Sequence, residues 1–160
     1  MLRHIFSFLI ISSSFIFLAC GESGNTPAEM PDSIGNANIT QVEASASTQG
    51  FTFQVTISSP DEGCNQYADW WEVINENGDL LYRRILAHSH VDEQPFTRSG
   101  GPVEISESQK VWIRAHMNNS GYGGTTLFGS VTDGFETVEM PDGFASDLEN
   151  EAPLPDGCAF

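Results

Sequence analysis

The stretch between residues 88 and 98 holds the densest group of side chains in this chain that can bond, carry charge or bind a metal ion. His88 and His90 are two positions apart, so on an extended backbone their side chains point to the same face. Neutral imidazoles are common ligands of zinc and copper. This spacing therefore predicts a copper or zinc site. The candidate ligands are His88, His90 and His116, with an oxygen ligand from Asp92 or Glu93.

The same stretch also has a structural interpretation. Pro95 interrupts any strand that runs through it, and together with Phe96 it can close the edge of a sheet. Polar residues of the stretch can then satisfy one another and the loop backbone. The predicted contacts are Asp92 or Glu93 with Arg98, and Gln94 with backbone groups. Both interpretations stay open from the sequence alone.

A second candidate binding loop is the glycine-rich segment of residues 118–124, which can also be a simple hairpin loop. Tyr122 stands between Gly121 and Gly123, so we expect an exposed and adaptable ring there. The tryptophans likewise allow two interpretations, core and cross-strand packing or an aromatic ligand platform. The candidate binding-loop residues are Asp92, Glu93, Arg98 and Tyr122, and the tryptophans are Trp70, Trp71 and Trp112.

The sequence does not favour an enzyme, and we assign no catalytic residue. It has no glycine motif that would cradle a phosphate and no nucleophile elbow. Ser89 lies between two histidines, but it lacks the context that orients a catalytic triad. Many carboxylates are present, yet nothing in their spacing singles out a hydrolytic pair.

The charge balance excludes some classes of partner. The formal net charge is -16, from six basic and twenty-two acidic residues. Arg3 lies in the predicted export segment, and its removal leaves five basic residues and a net charge near -17. Such a field repels phosphate backbones, so we expect no nucleic acid partner.

The N-terminus has the pattern of an export signal. Residues 1–4 carry a positive charge, and residues 5–19 are apolar apart from serines. About fifteen residues are too few for a stable membrane span, which needs roughly twenty. Phe17-Leu18-Ala19-Cys20 resembles the lipobox of bacterial lipoproteins. The resemblance implies a signal peptide of residues 1–19 and a lipid-modified, membrane-anchored Cys20. Because Gly21 is not aspartate, it also implies the outer membrane, on its periplasmic side or at the cell surface.

Composition divides the rest of the chain into three parts. Residues 20–37 are rich in Gly, Ser, Asn and Pro and predict a flexible tether after the lipid-modified cysteine. Residues 38–132 have the pattern of a folded domain, and residues 133–160 predict an acidic tail with little fixed structure. Once Cys20 carries lipid, Cys64 and Cys158 remain as an even pair. They predict a disulfide that closes a loop of about ninety residues, with two free thiols as the alternative.

Short alternating runs predict β-strands throughout the folded part. The clearest signal is Asn77-Gly78, typical of a two-residue type I′ turn between strands at residues 70–75 and 80–86. That turn predicts the pairing of the two strands. The expected pairs are Glu76–Asp79, Ile74–Leu81, Val73–Tyr82, Glu72–Arg83, Trp71–Arg84 and Trp70–Ile85.

The remaining strands complete a predicted all-β fold. A hairpin is expected over residues 39–57, a short edge strand at 102–105, and further strands at 111–117 and 125–132. About seven short strands predict an antiparallel sandwich of two sheets. Residues 111–124, with Arg114-Ala115 followed by Gly121-Tyr122-Gly123, resemble the last hairpin of fibronectin type III or immunoglobulin-like domains. That resemblance implies a fold but no activity.

A narrower resemblance is to a group of uncharacterised exported bacterial proteins. It rests on residues 67–73, on His-x-His-Val-Asp-Glu-Gln-Pro-Phe-Thr-Arg at residues 88–98, and on residues 114–124. We therefore predict a membrane-anchored, non-catalytic module outside the cytoplasm that binds an unknown protein or small ligand. The alternative is a periplasmic copper or zinc lipoprotein that uses His88, His90 and His116.

Overall fold

A computed structural model describes residues 35–159 of the chain. The predicted signal peptide, Cys20 and most of the predicted tether lie outside the described residues. Two antiparallel sheets form, one with the strand order β1-β2-β5 and one with the order β4-β3-β6-β7-β8. The strands are β1 (Asn38–Ser47), β2 (Gly50–Ser58), β3 (Ala68–Asn75), β4 (Leu80–Ile85), β5 (Phe96–Val103), β6 (Val111–Met117), β7 (Leu127–Ser130) and β8 (Gly134–Thr137). The predicted all-β sandwich is therefore confirmed. In residues 35–159, no helix has the length and apolar character to span a bilayer.

The main hydrophobic core lies between the two sheets and follows from the alternation of apolar residues. In β2, Phe53, Val55 and Ile57 are fully buried, while Gln54 between them is exposed. From the other sheet, the buried side chains of Trp71 and neighbouring strand residues join the same core. The predicted hairpin of β1 and β2 forms, with Val42 opposite Val55 in its register.

Strand β5 begins earlier than predicted. The sequence pattern placed an edge strand at residues 102–105, whereas β5 starts at Phe96, which pairs with Ile57. Gly100 allows this strand to lie against the core, because a Cβ atom there would come within 2.7 Å of Tyr82 and 2.8 Å of Trp71. Gly100 and Gly101 are therefore part of the strand.

The predicted β3–β4 hairpin is confirmed, with one error at its turn. The pairs from Trp70–Ile85 to Val73–Tyr82 are as expected, but Ile74 lies opposite Leu80 and not Leu81. The expected Glu76–Asp79 pair is also wrong, because the Asn75 N–H donates to the Asp79 carbonyl. The turn is not type I′, which needs positive φ at both central residues. Gly78 has φ +93°, but Ala145 is the single non-glycine residue with positive φ in the described range, so Asn77 does not meet that requirement. The Asn75 side chain shapes this loop, since its Oδ1 accepts bonds from the backbone N–H groups of Asn77 and Asp79, both at 2.9 Å.

The C-terminal region is more ordered than predicted. Strand β8 pairs with β7 beyond the expected domain boundary at residue 132, and a short 3₁₀ helix forms at Ser146–Asn150. We call residues 138–159 the C-terminal strap. The predicted disulfide between Cys64 and Cys158 is confirmed, with a Cα–Cα distance of 5.5 Å. The interpretation of residues 133–160 as a tail with little structure is therefore wrong for the described residues up to 159.

Candidate functional site

Several loops meet at one end of the sandwich, which we call the loop end. It comprises residues 59–67 between β2 and β3, residues 86–95 between β4 and β5, and residues 118–126 between β6 and β7. The C-terminus joins them, because Cys158 is bonded to Cys64 and the N–H of Ala159 donates to the Ala87 carbonyl at 2.6 Å. Both loops that the sequence singled out therefore lie at the same end of the molecule.

His90 anchors the loop of residues 86–95 in the protein. Its side chain is 1% exposed, and its ring stacks on Phe96 with centroids 3.8 Å apart. Burial lowers the pKa of His90 below its usual range, and the positive charge of Arg98 lowers this pKa further. Neither ring nitrogen of this histidine has a hydrogen-bond partner among the described residues. The neutral ring is thus packed inside the protein like an aromatic core side chain.

Asp61 is an organising residue that sequence reasoning missed. Its carboxylate is fully buried and accepts bonds from the His90 N–H at 2.7 Å, the Ala68 N–H at 3.0 Å and the Ser59 hydroxyl at 2.7 Å. These donors come from different segments, so one carboxylate fixes the loop of residues 86–95 to the start of β3. The only signal in the sequence was a turn at residues 60–63, which gives no sign of such a role.

The structural interpretation of residues 88–98 is confirmed in its details. Glu93 pairs with Arg98 at 2.7 Å, and this hydrogen bond lowers the pKa of the Glu93 carboxyl. Gln94 accepts a bond from the Ser59 N–H at 2.9 Å and donates to the His90 carbonyl at 3.1 Å. Phe96 is 3% exposed, as expected of a side chain that closes the edge of a sheet. The exposed residues of this loop include His88, Val91 and Asp92.

The structure does not assemble the predicted three-histidine site. His116 Nδ1 lies 2.7 Å from Asp69 Oδ1, and its Nε2 lies 3.4 Å from Glu149 Oε1. His88 and His90 lie close together, with ring centroids 4.5 Å apart. Among residues 35–159, no three His, Cys, Asp or Glu side chains are placed to hold one metal ion.

The loop of residues 118–124 is fixed by hydrogen bonds. Asn118 accepts from the Tyr67 N–H and donates to the Cys64 carbonyl, both at 2.9 Å. Tyr122 is not the exposed ring that was expected, because it packs edge-on against His116 at 4.9 Å and lies under the Arg114 guanidinium at 3.5 Å. Burial and the nearby Glu72 carboxylate raise the pKa of Tyr122. The glycines around it thus allow inward packing of the ring.

A second polar cluster lies on the outer face of the five-stranded sheet, the face turned away from the other sheet. Glu72 is fully buried there and accepts bonds from Arg83 Nε at 2.8 Å and Arg114 Nε at 2.7 Å. The predicted Glu72–Arg83 pair is confirmed. Arg83 also lies over the Trp70 ring, with its Cζ 4.5 Å from the ring centroid. Arg114 was missed because its pairing with Glu72 depends on the register of β3 with β6.

The tryptophans follow the packing interpretation. Trp71 is fully buried in the main core. Trp70 stacks on His116 on the outer face, with centroids 3.6 Å apart. Trp112 packs against Phe128 at 4.4 Å and against Phe144 of the C-terminal strap at 5.9 Å. All three rings are buried, so none is a free aromatic platform.

Comparison with known proteins identifies a relative. No protein-family model matches the chain, and no solved structure matches it. A protein of Halomicrobium mukohataei named "Putative lipoprotein" is 36% identical over 136 residues, which cover 77% of this chain and 67% of the relative. The chain belongs to the family of this lipoprotein. The match does not test the resemblance to fibronectin type III domains or to the exported bacterial group, and both stay predictions.

Proposed function

We propose that this protein is a lipid-anchored, non-catalytic binding module in the outer membrane, facing the periplasm or the cell surface. Two independent observations support the anchor. The sequence Phe17-Leu18-Ala19-Cys20 resembles a lipobox, and the chain belongs to the family of a lipoprotein. The high negative charge suits a protein that stays soluble at a membrane and does not bind nucleic acid.

The observation that carries the binding role is the rigidity of the loop end. Asp61 and His90 hold the loop of residues 86–95 from the inside, and the Cys64–Cys158 disulfide joins the neighbouring segments. On the outside, Val91 is 51% exposed and stands next to the exposed Asp92. A loop that is already fixed loses little conformational entropy when it binds. Such a surface suits a protein or small ligand with an apolar contact and a positively charged group.

The anchor is tested by labelling cells with radioactive palmitate. We expect label in the wild-type protein and its recovery in the outer-membrane fraction. A Cys20→Ser variant should lose both the label and the membrane association, because Cys20 is the residue that carries the lipid. Label that persists in the Cys20→Ser variant, or wild-type protein found only in the soluble fraction, would contradict the anchor.

The binding role is tested by photo-crosslinking in cells. A photoreactive amino acid replaces Val91 at the loop end in one variant and Ser108 in a control. Ser108 is exposed on the loop between β5 and β6, at the opposite end of the sandwich. We expect a discrete adduct from position 91 and none from position 108. If folded, membrane-bound protein gives no adduct at position 91, the loop end is not the binding surface.

A further inference from the structure

The outer face of the five-stranded sheet differs from both a core and an ordinary solvent-facing surface. It carries the buried Glu72, which bridges Arg83 and Arg114, and beside them Trp70 stacked on His116. Charged groups are rarely buried unless they are paired. A sheet face exposed to solvent would have no need to bury and pair these charges. In this structure the C-terminal strap covers these residues.

The strap is held mainly through its peptide backbone. Arg83 donates to the carbonyl of Leu148 at 2.6 Å and to that of Pro153 at 3.1 Å, and it also bonds the carbonyl of Glu151. Arg114 donates to the carbonyls of Phe144 at 3.0 Å and Ala145 at 2.7 Å. Every peptide segment has such carbonyls, so these contacts bind the backbone of a turn and 3₁₀ helix without selecting its side chains. Guanidinium groups suit this task because each offers several donors in a fixed plane.

Apolar side chains of the strap add further contacts, among them those of Phe144 and Leu148. Leu148 is 3% exposed and forms a small cluster with Ile74 and Trp112, and Phe144 packs beside Trp112. This cluster is separate from the main core, to whose buried members the strap contributes no residue among those described. Phe144 and Leu148 are four positions apart in the sequence. The sandwich therefore has its own core, and the strap fills a surface groove on it.

Trp70 and Tyr122 on this face each have a buried polar atom without a hydrogen-bond partner among residues 35–159. Trp70 is 3% exposed, and its indole Nε1–H has no acceptor among residues 35–159. A buried donor without an acceptor costs free energy, so a ligand carbonyl oxygen that reached this N–H would stabilise the bound state.

We propose that this outer face is a peptide-binding site, and that the C-terminal strap occupies it within the same chain. The partner is a peptide segment that adopts the turn and 3₁₀ conformation of the strap, with an aromatic residue and a leucine-like residue four positions apart. Its backbone carbonyls bind Arg83 and Arg114, and its apolar side chains take the places of Phe144 and Leu148. The Cys64–Cys158 disulfide keeps the C-terminal end of the strap on the sandwich.

The test asks whether the sandwich stays folded and binds a peptide after the strap has been removed. A protease recognition sequence is inserted between Asp142 and Gly143, both exposed, in the full-length protein. The disulfide retains the strap after cleavage, and a reductant then releases it. A fluorescent peptide of residues 143–157 is added back, and its binding is followed by anisotropy.

Matched peptides distinguish site-specific binding from general stickiness. We expect saturable binding of the parent peptide, and binding at least about tenfold weaker for a Leu148→Ala peptide, since a buried leucine side chain is lost. A Ser146→Ala peptide, changed at an exposed position, should bind like the parent. An Arg114→Lys protein should bind all the peptides more weakly by a similar factor. The changes in the peptide keep the test valid even if this protein variant does not fold.

Two results would overturn the proposal. If the near-ultraviolet circular dichroism of the sandwich collapses when the strap leaves, the strap is part of the fold and not the occupant of a site. If the cleaved and reduced protein stays folded but binds the parent and Leu148→Ala peptides equally, or binds neither, the groove does not recognise peptides. The crosslinking at position 91 concerns a different surface and is unaffected by either result.

Discussion

Two buried carboxylates organise two regions of this protein in different ways. At the loop end, Asp61 accepts bonds from backbone N–H groups and a hydroxyl, which are neutral donors. On the outer face of the five-stranded sheet, Glu72 lies between the guanidinium groups of Arg83 and Arg114. The first carboxylate fixes loops to one another. Glu72 balances the charges of Arg83 and Arg114, which in turn bond to the C-terminal strap. Only this second region therefore holds a segment that another peptide could replace.

The largest effect should come from Glu72→Gln. This change keeps the shape of the side chain but leaves two buried guanidinium groups without their counter-charge. Removing one partner of a buried ion pair costs about 3–5 kcal/mol, so the free energy of unfolding measured in urea should fall by about that amount. Glu107→Gln, at an exposed position, is the matched control and should be nearly neutral. An equal effect of the two substitutions would mean that the Glu72 cluster contributes nothing to stability.

Asp61→Asn should have a smaller effect. An amide oxygen can still accept a bond from one of the donors, but the amide NH₂ group would face the others. The loss of hydrogen bonds to a charged acceptor corresponds to about 1–3 kcal/mol. Hydrogen exchange should localise the change, with faster exchange of the His90 and Ala68 amides and unchanged protection in β6. Uniformly faster exchange across both regions would show that the loop end is not a separate unit.

The sequence predicted contacts between side chains that lie close to one another along the chain. The β3–β4 register followed from Asn77-Gly78, and it failed next to the turn, from Ile74 onward, where the side chain of Asn75 determines the loop. Asp61 could not be found, because one aspartate in a turn looks like any other. The C-terminal strap was misjudged for a physical reason, since it binds mainly through carbonyl oxygens. Backbone groups are the same at every residue and leave no pattern in a sequence.

His90 makes the loop end sensitive to pH. Its pKa in the folded protein is lowered, mainly by burial, from the ordinary value of about 6.5. Asp61 and Glu93 oppose this shift, while Arg98 and His88 add to it. Below about pH 6.5 the unfolded chain takes up a proton on this side chain before the folded protein does. Stability should therefore fall as the pH decreases through this window, by at most about 1.4 kcal/mol per pH unit from this group.

His90→Phe isolates this contribution. The substitution keeps a flat ring beside Phe96 and removes two ring nitrogens that have no partners in the described part of the chain. Urea unfolding at about pH 7.5 and about pH 5.5 should show a smaller loss of stability on acidification for the variant than for the wild type. If the two proteins have the same pH dependence, His90 is not held neutral by the fold.

The smallest effect is expected at His88, which also tests the metal interpretation. His88 is exposed and lies beside His90, whose ring would have to leave its stack on Phe96 to ligate a metal ion well. Because no third ligand among residues 35–159 is in place, we expect excess Zn²⁺ or Cu²⁺ to leave the melting temperature unchanged. His88→Ala should alter the free energy of unfolding by less than about 0.5 kcal/mol. A saturable rise in melting temperature with either metal that His88→Ala abolishes would restore the copper or zinc site. It would also mean that the loop end, like the outer face of the five-stranded sheet, binds an occupant that can exchange.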